Sequence, residues 1–146
     1  LQTAARELIR RFTLEPYLSK AIEALSHGTR QRVAIASALL HDPEVFVIDE
    51  PMVGLDPYHA RVVKDILKER SQDGMTVFVS THQLSVAEEL ADRIAIMSQG
   101  RFLVVGTPDE LRQQSGTFGV ALEETFLTLT RDASPETGVA IPKTVQ

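Results

Sequence analysis

Residues 45 to 51 read VFVIDEP. Val45, Phe46, Val47 and Ile48 run without alternation, the pattern of a strand covered on both faces in a parallel α/β sheet. The run stops on two adjacent carboxylates, Asp49 and Glu50, and a proline. In open α/β sheets ligands sit beyond the carboxyl ends of strands, so the polar residues at such an end are where chemistry is sought. One carboxylate there can hold Mg²⁺ through water, because magnesium takes few protein carboxylates and keeps several waters. The other can orient or deprotonate an attacking water. Taken alone, the same residues also suit a solvated strand-to-loop junction.

Downstream, Asp56 stands before Pro57, a helix cap followed by proline at the first helical position. His59, Val62, Val63, Ile66 and Leu67 give that helix an inner stripe. Gly74 closes the connection, and Met75 to Ser80 repeats the apolar strand pattern. This strand ends on Ser80, Thr81, His82 and Gln83. A histidine so placed can touch a phosphate oxygen, or can simply cap the next helix, whose inner face is Leu84, Ala87, Leu90 and Ala91. Arg93 to Met97 and Arg101 to Val105 flank SQG, a hairpin signal. Thr107, Pro108 and Glu110 form a capping box. Leu122, Phe126 and Leu129 mark a last helix, and residues 131 to 146 read as a loose tail.

Upstream, HDPE at 41 to 44 breaks a helix, since Asp42 precedes Pro43. That helix is expected from about 28 to 40, capped by Ser26, with Val33, Ala34, Ala36, Leu39 and Leu40 facing inward. Its start reads LSHGTRQR, residues 25 to 32. Ser26 and Gly28 can offer a hydroxyl and backbone N–H groups to an anion, although an ordinary capped helix would look the same. Arg30, Gln31 and Arg32 read as residues that solvate the helix. Residues 1 to 12 form an amphipathic helix on Leu1, Ala5, Leu8, Ile9 and Phe12. The helical spacing already holds at Leu1, so the chain is read as a fragment of a longer protein. Residues 13 to 25 read as turn and short helix around Pro16.

The 146 residues are 43% hydrophobic and 24% charged, enough to build a core of one domain or part of a larger one. A net charge of −5 argues against a broad nucleic-acid surface, so no nucleic-acid partner is expected. There is no cysteine, which excludes a disulfide framework and fits a cytosolic protein. The apolar runs are too short to cross a bilayer, and no signal-peptide pattern opens the chain.

Each of these signals is common alone. Their order and spacing, LSHGTRQR, then VFVIDEP, then GLD at 54 to 56, then STH at 80 to 82, resemble the second half of an ABC-type ATPase, the nucleotide-binding subunit of ABC transporters. The resemblance covers roughly residues 1 to 130 and is specific in combination. It implies an α/β fold: part of a P-loop NTPase (RecA-like) parallel sheet with flanking helices. To this are added the end of the family's helical subdomain and a C-terminal hairpin and helix. Residues 1–40 would be the end of the helical subdomain and the signature helix. Residues 41–106 would be part of the catalytic core, 107–130 a C-terminal helical extension and 131–146 the tail.

By this likeness Asp49 is the Walker B aspartate acting on Mg²⁺ through water, and Glu50 the general base for the attacking water. His82 is the switch histidine that contacts the γ-phosphate of ATP. Asp56 lies in the D-loop, which communicates between subunits. Ser26, His27, Gly28 and Thr29 belong to the signature motif, which in this family closes over ATP bound by the other subunit of a dimer. The usual signature is LSGGQ; here His27 replaces its first glycine and Thr29 its glutamine. Histidine adds bulk and a proton that titrates near neutral pH.

The sequence contains no G-x-x-x-x-G-K-[ST], so neither a nest of backbone N–H groups nor a lysine cradles phosphates. The expectation is that this polypeptide alone neither binds ATP tightly nor hydrolyses it. GRFLVVGTPDELR (100 to 112) followed by LEETFLTLT (122 to 130) resembles the ending of bacterial export-type subunits. The resemblance further implies membrane-spanning partner subunits and a cytoplasmic position at the inner face of the membrane. Two other readings stand beside it: a non-catalytic interaction fragment, and a DNA-associated ABC-type ATPase. The acidic balance and the absence of long coiled coils weigh against the latter.

Overall fold

A computed structural model describes residues 2–116 and 119–131, which fall into two compact units dividing between His82 and Gln83. The loose tail expected at 131–146 lies, beyond residue 131, outside the described residues.

In the first unit, α1 (Gln2–Arg11) leads through two short 3-10 turns, Glu15–Tyr17 and Ile22–Ala24, into α2 (His27–Leu39). Then follow β1 (Val45–Asp49), α3 (Pro57–Gln72) and β2 (Thr76–Ser80). The expected caps are present. The Ser26 side chain accepts from the Thr29 N–H at the start of α2, and Asp56 accepts from the His59 N–H at the start of α3, with Pro57 at its first position. β1 and β2 pair in parallel, Val45 opposite Thr76 and Asp49 opposite Ser80, with α3 as the crossover that a parallel pair requires. Leu8, Phe12, Ile35, Leu39, Phe46, Val63, Ile66 and Leu67 are among the buried apolar residues of this unit. Arg11 adds a bidentate pair to Glu69, at 2.5 and 2.9 Å, tying α1 to α3.

Two expectations are corrected here. β1 is covered on one face only: Phe46 is buried, while Val45 and Val47 are 60% and 68% exposed and Phe78 of β2 is 59% exposed. A run of apolar residues reads alike whether one face is covered or both, and among the described residues the second face is left exposed. The inner stripe of α2 is Thr29, Arg32, Ile35, Ala36 and Leu39, whereas Ala34 is exposed and Val33 and Leu40 are half-buried. The stripe runs at the i, i+3, i+4 spacing of one helical face, and it contains an arginine that composition alone assigns to solvent.

In the second unit, α4 (Leu84–Leu90) precedes a hairpin of β3 (Ile94–Ser98) and β4 (Arg101–Gly106), followed by α5 (Pro108–Ser115) and α6 (Leu122–Arg131). Gln99 and Gly100 at the hairpin tip both have positive φ, the requirement of a tight two-residue turn whose twist matches the strands. The pairing skips Leu103, a one-residue bulge between Ile96 and Met97. The capping box is complete: Thr107 N–H donates to Glu110 Oε2 at 2.8 Å and Glu110 N–H to Thr107 Oγ1 at 3.2 Å. Ile94, Ile96, Val104, Leu111 and Leu122 form a core against which Leu84, Ala87, Ala91, Phe126 and Leu129 pack.

Candidate functional site

Parallel register decides the first part of the site. Because Asp49 lies opposite Ser80, the two strands deliver Asp49-Glu50 and Ser80-Thr81-His82 side by side at their carboxyl ends. The Ser80 hydroxyl donates to Asp49 Oδ1. Glu50 takes three donors. Its Oε1 accepts from the His82 backbone N–H at 2.7 Å and from His82 Nδ1 at 2.6 Å, and its Oε2 from the Thr81 hydroxyl at 3.0 Å.

An ionised carboxylate only accepts, so His82 carries a proton on Nδ1 and its Nε2 is left facing outward from a 74% exposed side chain. Partial burial pushes the Glu50 carboxyl up, but the His82 side-chain and backbone bonds, the Thr81 bond and the histidine's charge outweigh it and hold the group below its ordinary range. Glu50 also has φ +45°, a left-handed backbone that costs a non-glycine residue on the order of 1–3 kcal/mol. Its N–H bond to Ser80 O at 2.9 Å helps to keep it there. Such strain concentrates at functional sites, and the sequence carries no signal for it.

The second part lies where α2 and α3 begin. Asp56 Oδ2 accepts from His59 Nδ1 at 2.6 Å, and His59 Nε2 meets Arg32 Nη1 at 2.8 Å. Arg32 Nη2 donates to Thr29 Oγ1 at 3.2 Å, and that hydroxyl is 2.8 Å from Ser26 Oγ. The His59 backbone N–H and imidazole hold the Asp56 carboxyl below its ordinary range. The backbones meet as well. A Cβ on Gly28 would collide with the Gly54 carbonyl oxygen, and one on Gly54, whose φ is +78°, would collide with the His27 ring. Gly28 thus has a structural reason to be glycine, beside any role toward a ligand.

Within LSHG-T, Thr29 is 3% exposed with its hydroxyl shared between Ser26 and Arg32, whereas Ser26 and His27 are exposed. Arg30 is exposed as expected and bonds Leu25 O at 2.9 Å. Arg32 is corrected: it is 6% exposed and structural, not a solvating residue. His59 appeared in the sequence only as part of a helix face, and Thr81 only as a neighbour of His82. Neither role is legible without the fold.

Among the described residues there is no cluster of three or more His, Cys, Asp or Glu able to cage a metal ion. Asp49 fits a narrower task. It is exposed, and a Mg²⁺ bound mainly by water and phosphate needs no protein cage. No described helix is long and apolar enough to cross a membrane.

Residues 1–53 match the model of the ABC transporter family. The chain is 40% identical over 120 residues to a phosphonates import ATP-binding protein of Ruegeria pomeroyi, covering 82% of this chain and 42% of that protein. It is 39% identical over 112 residues to a daunorubicin resistance ATP-binding protein of Streptomyces coeruleorubidus, covering 77% and 35%. Among solved structures, one described as the ATP binding subunit of an ABC transporter superposes with a TM-score of 0.82 at 34% identity, covering 89% of this chain and 56% of that one. The chain belongs to the ABC transporter ATP-binding family. It spans about half the length, or less, of these relatives.

Proposed function

We propose that this chain is part of the ATP-hydrolysing subunit of an ABC transporter, carrying the hydrolytic carboxylate and the signature element. The observation that carries the reading is the Glu50–His82 pair at the joined carboxyl ends of two parallel strands. Glu50 fixes the tautomer of the histidine: with the Nδ1 proton engaged, Nε2 is the outward nitrogen, and it donates to a phosphate oxygen only when the ring carries a second proton there. Glu50 serves as base toward an attacking water once one of its donors moves aside. Asp49 holds Mg²⁺ through water, and Mg²⁺ supplies charge neutralisation on the phosphates. Ser26, His27 and Gly28 are offered to the ATP of a second subunit, with Thr29 holding the cap behind them and Asp56 beside them in the D-loop.

The phosphate grip comes from outside these 146 residues, which contain no phosphate-binding loop. The uncovered face of β1 and β2 takes further elements of the same domain, since an apolar patch of this kind marks an interaction surface. Segments 1–40, 41–106 and 107–130 act as helical subdomain, core and extension. The complete subunit works as a dimer under membrane-spanning partners, at the cytoplasmic face of the membrane. We place it with exporters on the strength of residues 100–130, although its relatives are named for both import and resistance.

Calorimetry with ATP and Mg²⁺ tests the reading on the chain alone and mixed with the phosphate-loop half of a relative. We expect no binding alone, and hydrolysis in the mixture that is lost in Glu50→Gln. Micromolar binding by the chain alone, or unchanged hydrolysis in Glu50→Gln, would overturn it.

A further inference from the structure

We infer that Arg32 and His59 are positioning residues that lock the start of α2 and the start of α3 into one unit, and that the lock holds only while His59 is a neutral imidazole protonated on Nδ1. The inference rests on the proposed reading in one respect: Ser26 and Asp56 are the elements that the lock would present together to a second subunit.

The chain of contacts is continuous: Ser26 Oγ to Thr29 Oγ1, Thr29 Oγ1 to Arg32, Arg32 to His59 Nε2, His59 Nδ1 to Asp56. Arg32 is almost fully buried. Among the described residues its partners are the carbonyls of Phe12 at 2.5 Å and, more weakly, Thr13 at 3.5 Å, the Thr29 hydroxyl, His59 and the ring of Tyr17. None of these is a carboxylate. A buried guanidinium without an anion is costly, and the nearest acid in the network, Asp56, is reached only through the imidazole. His59 therefore passes the negative charge of Asp56 on to Arg32.

A guanidinium can only donate, so His59 Nε2 must be the acceptor and the ring proton must sit on Nδ1, which donates to Asp56. A second proton has one place to go, Nε2. There it would oppose an N–H of Arg32 across 2.8 Å, donor against donor and cation against cation. Tyr58 also meets the ring, in a T-shaped pair with centroids 5.2 Å apart, and the Arg32 guanidinium lies over the Tyr17 ring, 5.9 Å from its centroid. Neither offers a new acceptor to a proton on Nε2. Protonation thus removes an acceptor from Arg32 and loosens its hold on Thr29 and the Ser26 cap. The close approach of Gly28 to Gly54 leaves the two loops little room to adjust independently.

The test is solution NMR of the full chain labelled with ¹⁵N, without nucleotide. The His59 ring should show the Nδ1–H tautomer at pH 8. On acidification the Thr29 amide should shift with the same midpoint as the His59 ring signals. His27 is close in sequence, so the titration is repeated in His27→Asn, where the Thr29 response should persist. In His59→Phe it should vanish, with Thr29 at its acid-limit position already at pH 8. An Nε2–H tautomer at pH 8, a Thr29 amide that is flat in His27→Asn, or one that still titrates in His59→Phe would overturn the inference. The unsubstituted chain and His27→Asn decide the matter even if His59→Phe does not fold. No readout needs ATP, so failure here leaves the proposed function standing, and failure of that function leaves this network to be judged alone.

Discussion

Two histidines in this chain stand with Nδ1 2.6 Å from a carboxylate oxygen, His82 from Glu50 and His59 from Asp56. They differ in what Nε2 meets. The His82 side chain is 74% exposed and its second nitrogen faces outward. The His59 side chain is 17% exposed and its second nitrogen meets Arg32. The same carboxylate–imidazole pair therefore presents an open edge in one place and closes an internal brace in the other. In such a pair the carboxylate sets the tautomer, and the group on the far side of the ring decides the use.

The sharpest break in this comparison is Glu50→Gln in an assembly that hydrolyses ATP. With Glu50 in its proposed role as general base, the change should lower phosphate release by about 10²-fold or more. The matching change on the brace, Asp56→Asn, should cost far less activity in the same assay. Similar losses from the two would mean that both carboxylates touch the reaction.

Stability should rank the other way. Arg32→Met strips donors from buried carbonyl, hydroxyl and imidazole groups and should destabilise by about 3 kcal/mol in urea unfolding. Gly28→Ala forces a Cβ against the Gly54 carbonyl and should cost about 1–3 kcal/mol. His59→Phe should cost about 1 kcal/mol, while His82→Phe, at an exposed position, should stay within about 0.5 kcal/mol. Equal losses at the two histidines would show that His59 is not a brace.

The smallest effect is on acid lability. Glu50 and Asp56 are both held below their ordinary range in the folded chain. A depressed carboxyl contributes stability that is complete above its unfolded value, about pH 4, and is lost as pH falls through the folded value. Melting temperature followed from pH 7 to pH 3 should therefore drop more steeply in the unsubstituted chain than in Asp56→Asn or Glu50→Gln. Parallel curves would remove these two groups from the acid response.

Local chemistry carried much of this structure into the sequence. Ser26, Asp56 and Thr107 cap helices because a short side-chain oxygen reaches the N–H groups two or three residues on, a bond that depends on nothing distant. The hairpin is as local, set by Gln99 and Gly100 at its tip. The strand VFVID and the order of motifs along the chain were likewise sufficient to indicate a parallel α/β fold of this family. What adjacency could not supply is anything created by bringing distant segments together. Thirty-two residues separate Glu50 from His82 and twenty-seven separate Arg32 from His59, and only strand register and helix packing close those gaps. Burial is likewise a property of the assembled chain. It takes Arg32 out of water and leaves Val47 in it, the reverse of what their side chains alone prescribe, because the surrounding elements decide which surface a residue meets.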